Sequence, residues 1–418
     1  MQMSKLFKHK KIVSLFYYFI ISITLILLIK FALINQVNLS STQLQGNLLI
    51  WHSTEGKVAN MLTTAVEKFK ELKPEVNILI QSIPQQKNPS FFIEKSEAGF
   101  GSSALILYAR NLTELLKKRL INPINSQFID TSTYSPSALS QVRYQGKIYG
   151  IPLGSNTRVL CYNKAKLDAT KDPILSTPPT NLDGLIQRAI KGYTVGLVSS
   201  FEDTFWGMGT FGGKLFNEFD LLEPNLDGWV KWLDWLKNAS LQPNFIFSRN
   251  RNILHNAFNK GKLAYYVCES TEIPDFSESL GDDFRVALLP EGEGGKATPL
   301  IYTKVIVFNH SNTDNENRLG LAFGKYITNP EQQLAGIIKT QSFIPTNRNV
   351  NPNVTLLPIE SVLLKQAQSA VAIPLNNLEQ ILLIFEQGET LYQQAFVGEI
   401  STLKAAEELM LLLNNFSS

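Results

Sequence analysis

Residues 145–164 constrain the fold most, because two short apolar, β-favouring runs there flank the segment GIPLG (150–154). The polar triplet Ser155-Asn156-Thr157 follows that segment. Proline has no backbone N–H to give to a sheet ladder, so Pro152 predicts a strand edge or a crossing segment. The pattern indicates a chain that leaves one sheet and enters another.

The composition indicates a globular chain that is long enough for two domains. It has 418 residues, of which 44% are hydrophobic and 18% charged. The formal charge of +3 is misleading, because the first 45 residues hold five lysines and no acid, which leaves 34 basic against 36 acidic residues. A near-neutral body argues against nucleic acid as a partner. Two cysteines exclude a disulfide-rich scaffold and a Cys-rich metal site.

The N-terminus predicts a membrane anchor. Residues 12–29 carry no charge and follow Lys5, Lys8, Lys10 and Lys11. A secretory signal core usually has about 7–15 apolar residues, whereas eighteen can just span a bilayer with the lysines in the cytoplasm. Neither a small-x-small cleavage site nor a cysteine that could take a lipid follows. We expect residues 1–34 to be an uncleaved anchor and 35–45 a polar tether, with a cleaved signal peptide as the alternative.

The first part of the body predicts a parallel βαβ unit. Residues 46–51 and 76–80 have the pattern of strands, and 57–73 have apolar residues on one helical face. A strand, a helix and a strand at this spacing imply a right-handed crossover. Residues 104–107 predict a buried strand, and we expect Asn111 to cap the next helix.

The second part predicts further alternation of strands and helices. Residues 193–198 have the pattern of a strand, and residues 226–236 that of a helix. Asn329 is expected to cap a helix that has Pro330 at its first position. The helix at 226–236 has one face that we expect to be core, formed by Trp229, Trp232, Leu233 and Leu236.

In this order the segments resemble the extracellular solute-binding proteins, the maltose-binding-like family of ABC importers. The likeness runs in order over roughly residues 46–413, and the ordered set carries it rather than any single motif. Its strongest pieces are YGIPL (149–153) with VLCYNK (159–164), NKGKLAYY (259–266), VALLPEGEGGKATPL (286–300), TNPEQQ (328–333) and SFIPTN (342–347).

The resemblance implies an α/β, type II periplasmic-binding-protein-like fold with two lobes. Each lobe is expected to be a mixed, mostly parallel sheet flanked by helices. Three interlobe segments near 151–156, 297–302 and 344–348 would form a hinge. The implied map assigns 46–153 and 300–345 to lobe one, and 154–299 and 346–418 to lobe two.

Two segments depart from the family pattern. Residues 102–106 replace the common Pro-Asp-Val, so an acidic group often available near the ligand cleft is missing. Residues 269–271 read Glu-Ser-Thr where Gly-Pro-Trp would be expected. Ligand contacts at both segments must therefore differ from those of the family.

Several apparent motifs have simpler interpretations. GMGTFG (207–212) matches the dinucleotide fingerprint but lies eight residues past its predicted strand. GEGGK (292–296) lacks the first glycine of a phosphate loop and reads as a turn. Tyr265 and Tyr266 point to opposite faces of a strand, which favours packing over paired metal ligation. Cys161 and Cys268 fall in predicted strands, and we expect free, buried thiols, with a disulfide as the alternative.

Enzyme chemistry has little support in the sequence. Outside the N-terminal segment the histidines are His52, His255 and His310, and neither a Gly-x-Ser-x-Gly elbow nor a paired-histidine metal helix occurs. The resemblance implies binding without turnover. We expect no cofactor and no metal.

Candidate ligand contacts follow the predicted strands or lie beside the crossings, since ligands of open α/β sheets sit beyond the carboxyl ends of strands. Sugars need flat rings together with directional hydrogen bonds, a mixture that these positions offer. Trp51 and Trp206 are expected to form opposite walls of the cleft. The full set is Trp51, His52, Glu55, Asn156, Arg158, Phe205, Trp206, Glu269 and Tyr302.

The resemblance implies a monomeric binding protein that closes on a small solute, expected to be a sugar or oligosaccharide, and presents it to an ABC permease. The N-terminal helix would hold it at the outer face of the cytoplasmic membrane. The alternative is a membrane-tethered sensor or interaction protein with the same fold and no role in transport, which the anchor and the two departures favour.

Overall fold

The computed structural model describes residues 44–169, 174–217, 225–350 and 357–415. The predicted anchor lies outside these ranges, as does all but the end of the predicted tether. Across the described ranges, helices long and apolar enough to cross a membrane are absent. From Gly46 onward the described residues belong to one compact unit.

The strands alternate with helices along most of the described chain, as expected for an α/β fold. In chain order they are β1 (Gly46–His52), β2 (Val76–Ser82), β3 (Ala104–Tyr108), β4 (Arg143–Tyr144), β5 (Lys147–Ile148), β6 (Ile151–Asn156), β7 (Arg158–Asn163), β8 (Val195–Val198), β9 (Phe245–Ser248), β10 (Tyr265–Glu269), β11 (Phe284–Ala287), β12 (Leu300–Phe308) and β13 (Val371–Ala372).

The α-helices are joined by loops and short 3₁₀ turns, of which Phe205–Phe211 is the longest in the described residues. They are α1 (Gly56–Leu72), α2 (Ser90–Glu97), α3 (Leu112–Lys117), α4 (Pro136–Ser140), α5 (Lys164–Asp168), α6 (Leu182–Ile190), α7 (Phe201–Thr204), α8 (Leu226–Ser240), α9 (Arg251–Asn259), α10 (Ile273–Leu280), α11 (Asp314–Ile327), α12 (Pro330–Thr340), α13 (Pro358–Ala367), α14 (Leu378–Val397) and α15 (Thr402–Asn415).

The first sheet has the order β13-β12-β3-β1-β2, and β6 pairs with β12 beside this path. β1 runs parallel to β2 and β3, which is the predicted βαβ arrangement, and α1 packs against β2. β12 runs antiparallel to β3 and β6. The sheet is therefore mixed, as expected, and its buried face includes Leu48 and Ile50 of β1.

The second sheet has the order β11-β7-β10-β8-β9. β8 is parallel to β9 and β10, whereas β7 is antiparallel to β10 and β11. This sheet is mixed too, but its parallel and antiparallel pairs are balanced rather than mostly parallel. β7 accounts for the difference, because it lies between β11 and β10 and runs antiparallel to both.

The predicted crossing connects the two sheets. β6 ends at Asn156 in the first sheet and β7 begins at Arg158 in the second, so Thr157 alone lies between them. Pro152 pairs with Val305 where the register between β6 and β12 shifts, so its missing N–H falls at an irregular point of the ladder. Gly154 is needed for close packing, since a Cβ there would lie 2.8 Å from the Phe343 ring.

The helix signals are mostly confirmed. The Asn329 side chain accepts from the Gln332 N–H at 2.8 Å, and Pro330 begins α12. Asn111 precedes α3 but forms no side-chain cap, so that prediction was wrong in detail. The preceding 3₁₀ turn leads directly into α3 and leaves Asn111 with φ −96° and ψ 3°, outside the extended region that a capping residue usually adopts.

The tryptophan-rich face of α8 is core, as predicted. Trp229, Trp232, Leu233 and Leu236 are each at most 4% exposed. α14 and α15 pack against α8, and α13 packs against β7 and β11. The C-terminal helices therefore cover the second sheet, while β13 between them joins the first.

Cys161 and Cys268 form a disulfide, so the expectation of two free thiols was wrong. β7 and β10 are antiparallel neighbours, and Cys161 lies opposite Tyr266, two residues before Cys268. The two Cα atoms are 5.9 Å apart, within the range that a disulfide spans. Both residues are fully buried in the core of the second lobe.

The disulfide closes a separation of 107 residues, so it should stabilise the fold by restricting the unfolded chain. Replacing both cysteines with alanine should lower the free energy of unfolding by about 2–4 kcal/mol, measured by urea denaturation. Reductant should bring the wild type to the same midpoint and leave the double variant unchanged. Alkylation of both thiols in the unreduced, denatured protein would contradict the bond.

Candidate functional site

A cleft of about 640 Å³ lies between the two lobes, at the carboxyl ends of strands from both sheets. Its volume is in the range usual for small-molecule sites. One wall follows β1, β3 and part of β12, and the facing wall follows β8 and β10. The residues lining it include Ser53, Glu55, Lys57, Gln85, Asn88, Tyr108, Arg110, Asn111, Asn156, Glu202, Glu269, Thr271, Asp275, Tyr302, Lys304 and Ser342.

Four of the predicted contacts line this cleft. Glu55 follows β1, Asn156 ends β6, Glu269 ends β10, and Tyr302 lies near the start of β12. They come from both lobes and from two of the crossings. Ligands of α/β sheets usually bind beyond the ends of strands, and these four side chains lie together at such a place.

Trp51 and Trp206 do not form opposite walls of the cleft. Trp51 is 6% exposed, lies 5.0 Å from the Phe91 ring and donates its indole N–H to Gln81. Trp206 is 1% exposed and packs on Trp232 with ring centroids 4.9 Å apart. Both rings lie in lobe cores because their elements turn them away from the strand ends.

His52, Arg158 and Phe205 are also buried rather than lining the cleft. His52 is bonded to Thr54 through Nδ1, and burial lowers its pKa. The ring of Phe205 packs on Phe385. These three side chains pack beneath the walls of the cleft, and neighbouring residues form its surface.

Arg158 belongs to a buried charge cluster behind Glu269. It donates to Asp203 and lies 3.8 Å from Glu269, while Arg251 pairs with Asp203 and lies 3.9 Å from Glu269. Glu272 completes the cluster by pairing with Arg251 at 3.3 Å. Burial alone would raise the pKa of Asp203, but Arg158 and Arg251 outweigh it and hold that pKa below its usual range.

Polar contacts join the two walls at the edge of the cleft. Arg110, after β3, pairs with Glu202 of α7 at 2.9 Å, and the Tyr302 hydroxyl donates to the same carboxylate. The Arg110 guanidinium also lies 5.5 Å from the centre of the Tyr302 ring. Burial and the neighbouring Glu202 raise the pKa of Tyr302, so its hydroxyl stays a donor.

Lys304 places a cation in the wall of the cleft. Its Nζ lies 5.0 Å from the centre of the Tyr108 ring, and carboxylates within 4.0 Å of it are absent among the described residues. Burial lowers its pKa to about 8, with Glu55 partly opposing the change. Burial also raises the pKa of Tyr108, which therefore remains neutral beside the lysine.

Sequence reasoning missed Tyr108, Arg110, Glu202 and Lys304. Tyr108 and Arg110 directly follow the predicted strand 104–107, so the strand-end rule could have identified them. Lys304 was harder to identify from the sequence, because it lies inside β12 rather than after the end of a strand. Groups of His, Cys, Asp and Glu that could hold a metal ion are absent from the described parts of the chain.

The family model described as bacterial extracellular solute-binding protein matches residues 65–359. The chain belongs to this family. The family is one of solute-binding proteins rather than enzymes, and its extracellular character places the function of this member outside the cytoplasm.

Curated relatives are similar over most of the chain. A galactooligosaccharide-binding protein of Bacillus subtilis is 20% identical over 376 residues, covering 86% of this chain and 87% of that protein. A maltotriose-binding protein of Pyrococcus abyssi is 24% identical over 306 residues, covering 69% of this chain and 65% of that protein.

Solved structures share the two-lobed fold. The GacH receptor of Streptomyces glaucescens, solved unliganded and with acarbose, has a TM-score of 0.75 at 19% identity and covers 89% of this chain and 99% of its own. A cyclo/maltodextrin-binding protein in complex with maltotetraose has a TM-score of 0.73 at 20% identity, with coverages of 90% and 98%.

The burial of Lys304 predicts that replacing it will change the stability of the protein in a pH-dependent way. Below pH 8 the folded state holds a charged lysine that burial disfavours, so Lys304→Met should raise the free energy of unfolding at pH 7 by about 1–2 kcal/mol. Between about pH 8 and 10.5 the folded wild type releases this proton before the unfolded chain does, so wild-type stability should rise and the difference should shrink.

Urea unfolding at pH 7 and pH 9.5 measures this difference. Lys57→Met is the matched control, because Lys57 is exposed on the same cleft. A Lys304→Met protein that is less stable than wild type by the same amount at both pH values would contradict the assignment.

Proposed function

We propose that this protein is the substrate-binding component of an ABC importer and captures a sugar or oligosaccharide in the interlobe cleft. The observation that carries the proposal is the cleft itself, where aromatic and hydrogen-bonding side chains from both lobes face one volume of about 640 Å³. Tyr108 and Tyr302 offer ring faces, and Asn88, Asn156 and Glu269 offer directional partners. The oligosaccharide-binding relatives support the same class of ligand.

Glu55, Asn156, Glu269 and Tyr302 are the proposed ligand contacts, because all four line the cleft. We also propose Asn88 as a ligand contact, because of the hydrogen bonds that its side chain makes and lacks. Its Nδ2 donates to Ser53, but its buried Oδ1 has no hydrogen-bond partner among the described residues. A buried acceptor without a partner is costly, and a ligand hydroxyl would satisfy it.

The proposed lobes are 46–153 with 300–345 and 154–299 with 346–418, except that β13 pairs with β12 in the sheet of lobe one. The proposed hinge lies near 151–156, 297–302 and 344–348. Hinge closure is a recognised way for two rigid lobes to change state around a ligand. The Arg110–Glu202 pair spans the two lobes at the edge of the cleft and would favour the closed arrangement. The closed, monomeric form would be presented to the permease.

The first test is calorimetry with maltotriose and a galactooligosaccharide. Glu269→Gln and Asn156→Ala should each weaken binding about 10–100-fold, because hydrogen bonds to charged or buried groups contribute about 1.5–3 kcal/mol. Glu278→Gln is the matched control, since Glu278 is exposed on α10 and does not line the cleft. The proposal would be overturned by the absence of saturable binding of either sugar, or by unchanged affinity in both cleft variants.

We further propose that an uncleaved N-terminal helix holds the protein at the outer face of the cytoplasmic membrane. The eighteen uncharged residues 12–29 after four lysines support this topology. A tethered sensor without a transport role is the second candidate, and the departures at residues 102–106 and 269–271 favour it. Neighbouring permease genes would separate the two candidates.

The anchor predicts that the protein fractionates with membranes and keeps its N-terminal residues. Carbonate washing followed by mass spectrometry of the N-terminal peptide measures both properties. Recovery of a soluble extracytoplasmic form that starts near residues 35–46 would show a cleaved signal peptide instead.

A further inference from the structure

A second cavity, here called the annex, lies between α1 and α12 and has a volume of about 250 Å³. Met61, Leu62 and Ala65 of α1 form one side, and Leu153 of β6 with Phe343 lies opposite. Of the ligand contacts predicted from the sequence, Asn156 alone lines the annex.

The annex adjoins the cleft. Val58, Asn156, Thr271, Lys304 and Ser342 line both cavities. At its other end, Lys339 of α12 donates to Thr64 of α1 at 3.1 Å, which links the two helices. A molecule in the cleft therefore has a route into the annex past the shared residues.

Ser342 marks the junction between the two cavities. The residue is 2% exposed, and its hydroxyl has no hydrogen-bond partner among the described residues. Buried hydroxyls without partners are uncommon, because they lose water and gain nothing in return. A polar atom of a ligand at this point would satisfy the hydroxyl.

The chemistry of the annex differs from that of the cleft. Its walls are mainly aliphatic, and Phe343 is the one aromatic residue among its lining residues, all of which the structure describes. Sugar rings are recognised by aromatic faces and directional hydrogen bonds, whereas aliphatic walls suit an alkyl chain. The two cavities together fit a molecule with one polar and one apolar part.

We propose that the ligand of this protein is a glycoside or sugar ester whose alkyl or acyl group occupies the annex while its sugar lies in the cleft. This inference rests on the proposed sugar-binding function and narrows its ligand class. Polar groups where the cleft meets the annex, such as the Ser342 hydroxyl, would contact the atoms that link the sugar to its alkyl or acyl group.

The test is calorimetry on the full-length protein in lipid nanodiscs, with empty nanodiscs subtracted. The probes are the methyl, butyl and hexyl members of a maltoside and a lactoside series. Each methylene that leaves water for an apolar site contributes about 0.8 kcal/mol, which is about a fourfold gain in affinity. Since not every methylene will be fully buried, the hexyl glycoside should bind at least about tenfold tighter than the methyl glycoside.

A filling variant tests where the chain lies. Ala335 of α12 lines the annex and is itself exposed, so Ala335→Trp can place a ring over the cavity without disturbing the core. It should flatten the dependence of affinity on chain length. Ile338→Trp is the matched control, because Ile338 is on the same helix, is 52% exposed and does not line the annex. Thermal midpoints of both variants check folding.

The outcomes separate this inference from the proposed function. Equal affinity for methyl and hexyl glycosides would overturn the annex inference and leave sugar binding intact. No binding of any member of either series would overturn both. Hexanol or hexanoate binding as tightly as the hexyl glycosides would assign the annex to a separate ligand and would also overturn the inference.

Discussion

Thr157 joins the two sheets, and the remaining architecture depends on how tightly it is held. It is fully buried, and its hydroxyl donates to the Leu300 carbonyl at 2.9 Å, which ties the first crossing to the second. Ser155 and Ile344 exchange backbone hydrogen bonds of 2.9 and 2.7 Å, which ties the first crossing to the third. The three crossings near Thr157, Leu300 and Ile344 are therefore hydrogen-bonded to one another.

A partly buried charge cluster lies behind the wall of the cleft that the second sheet forms. Two guanidinium groups, Arg158 and Arg251, share Asp203, and both approach Glu269 from behind. Removing one member of such a cluster is costly, because the remaining charge is left buried without compensation. The disulfide between β7 and β10 lies within the same layer, so the strand that ends at Glu269 is held by covalent and electrostatic contacts. Glu269 therefore lines the cleft at the end of a strand that is tied to its neighbour on one side.

The sequence allowed the order of elements and the crossing to be predicted, because apolar periodicity and Pro152 report local backbone geometry. It allowed Glu55, Asn156, Glu269 and Tyr302 to be found, because strand ends converge on one edge of a sheet. Trp51 and Trp206 were expected in the cleft but lie in the core. The direction in which a side chain near the end of an element points depends on packing partners that are distant in sequence, here Phe91 and Trp232. The disulfide needed the pairing of β7 with β10, a contact between residues 107 positions apart.

The balance of charge in the cleft favours a neutral, hydroxyl-rich ligand over an ion. Arg110 is paired with Glu202, and Glu269 is opposed by the two guanidinium groups behind it. Lys304 lies against the Tyr108 ring, and burial lowers its pKa, so its surroundings disfavour the charged form. A neutral sugar can use Arg110, Glu202 and Glu269 as hydrogen-bond partners while these ion pairs stay intact, whereas an ion bound to any of the three would compete with the partner already present.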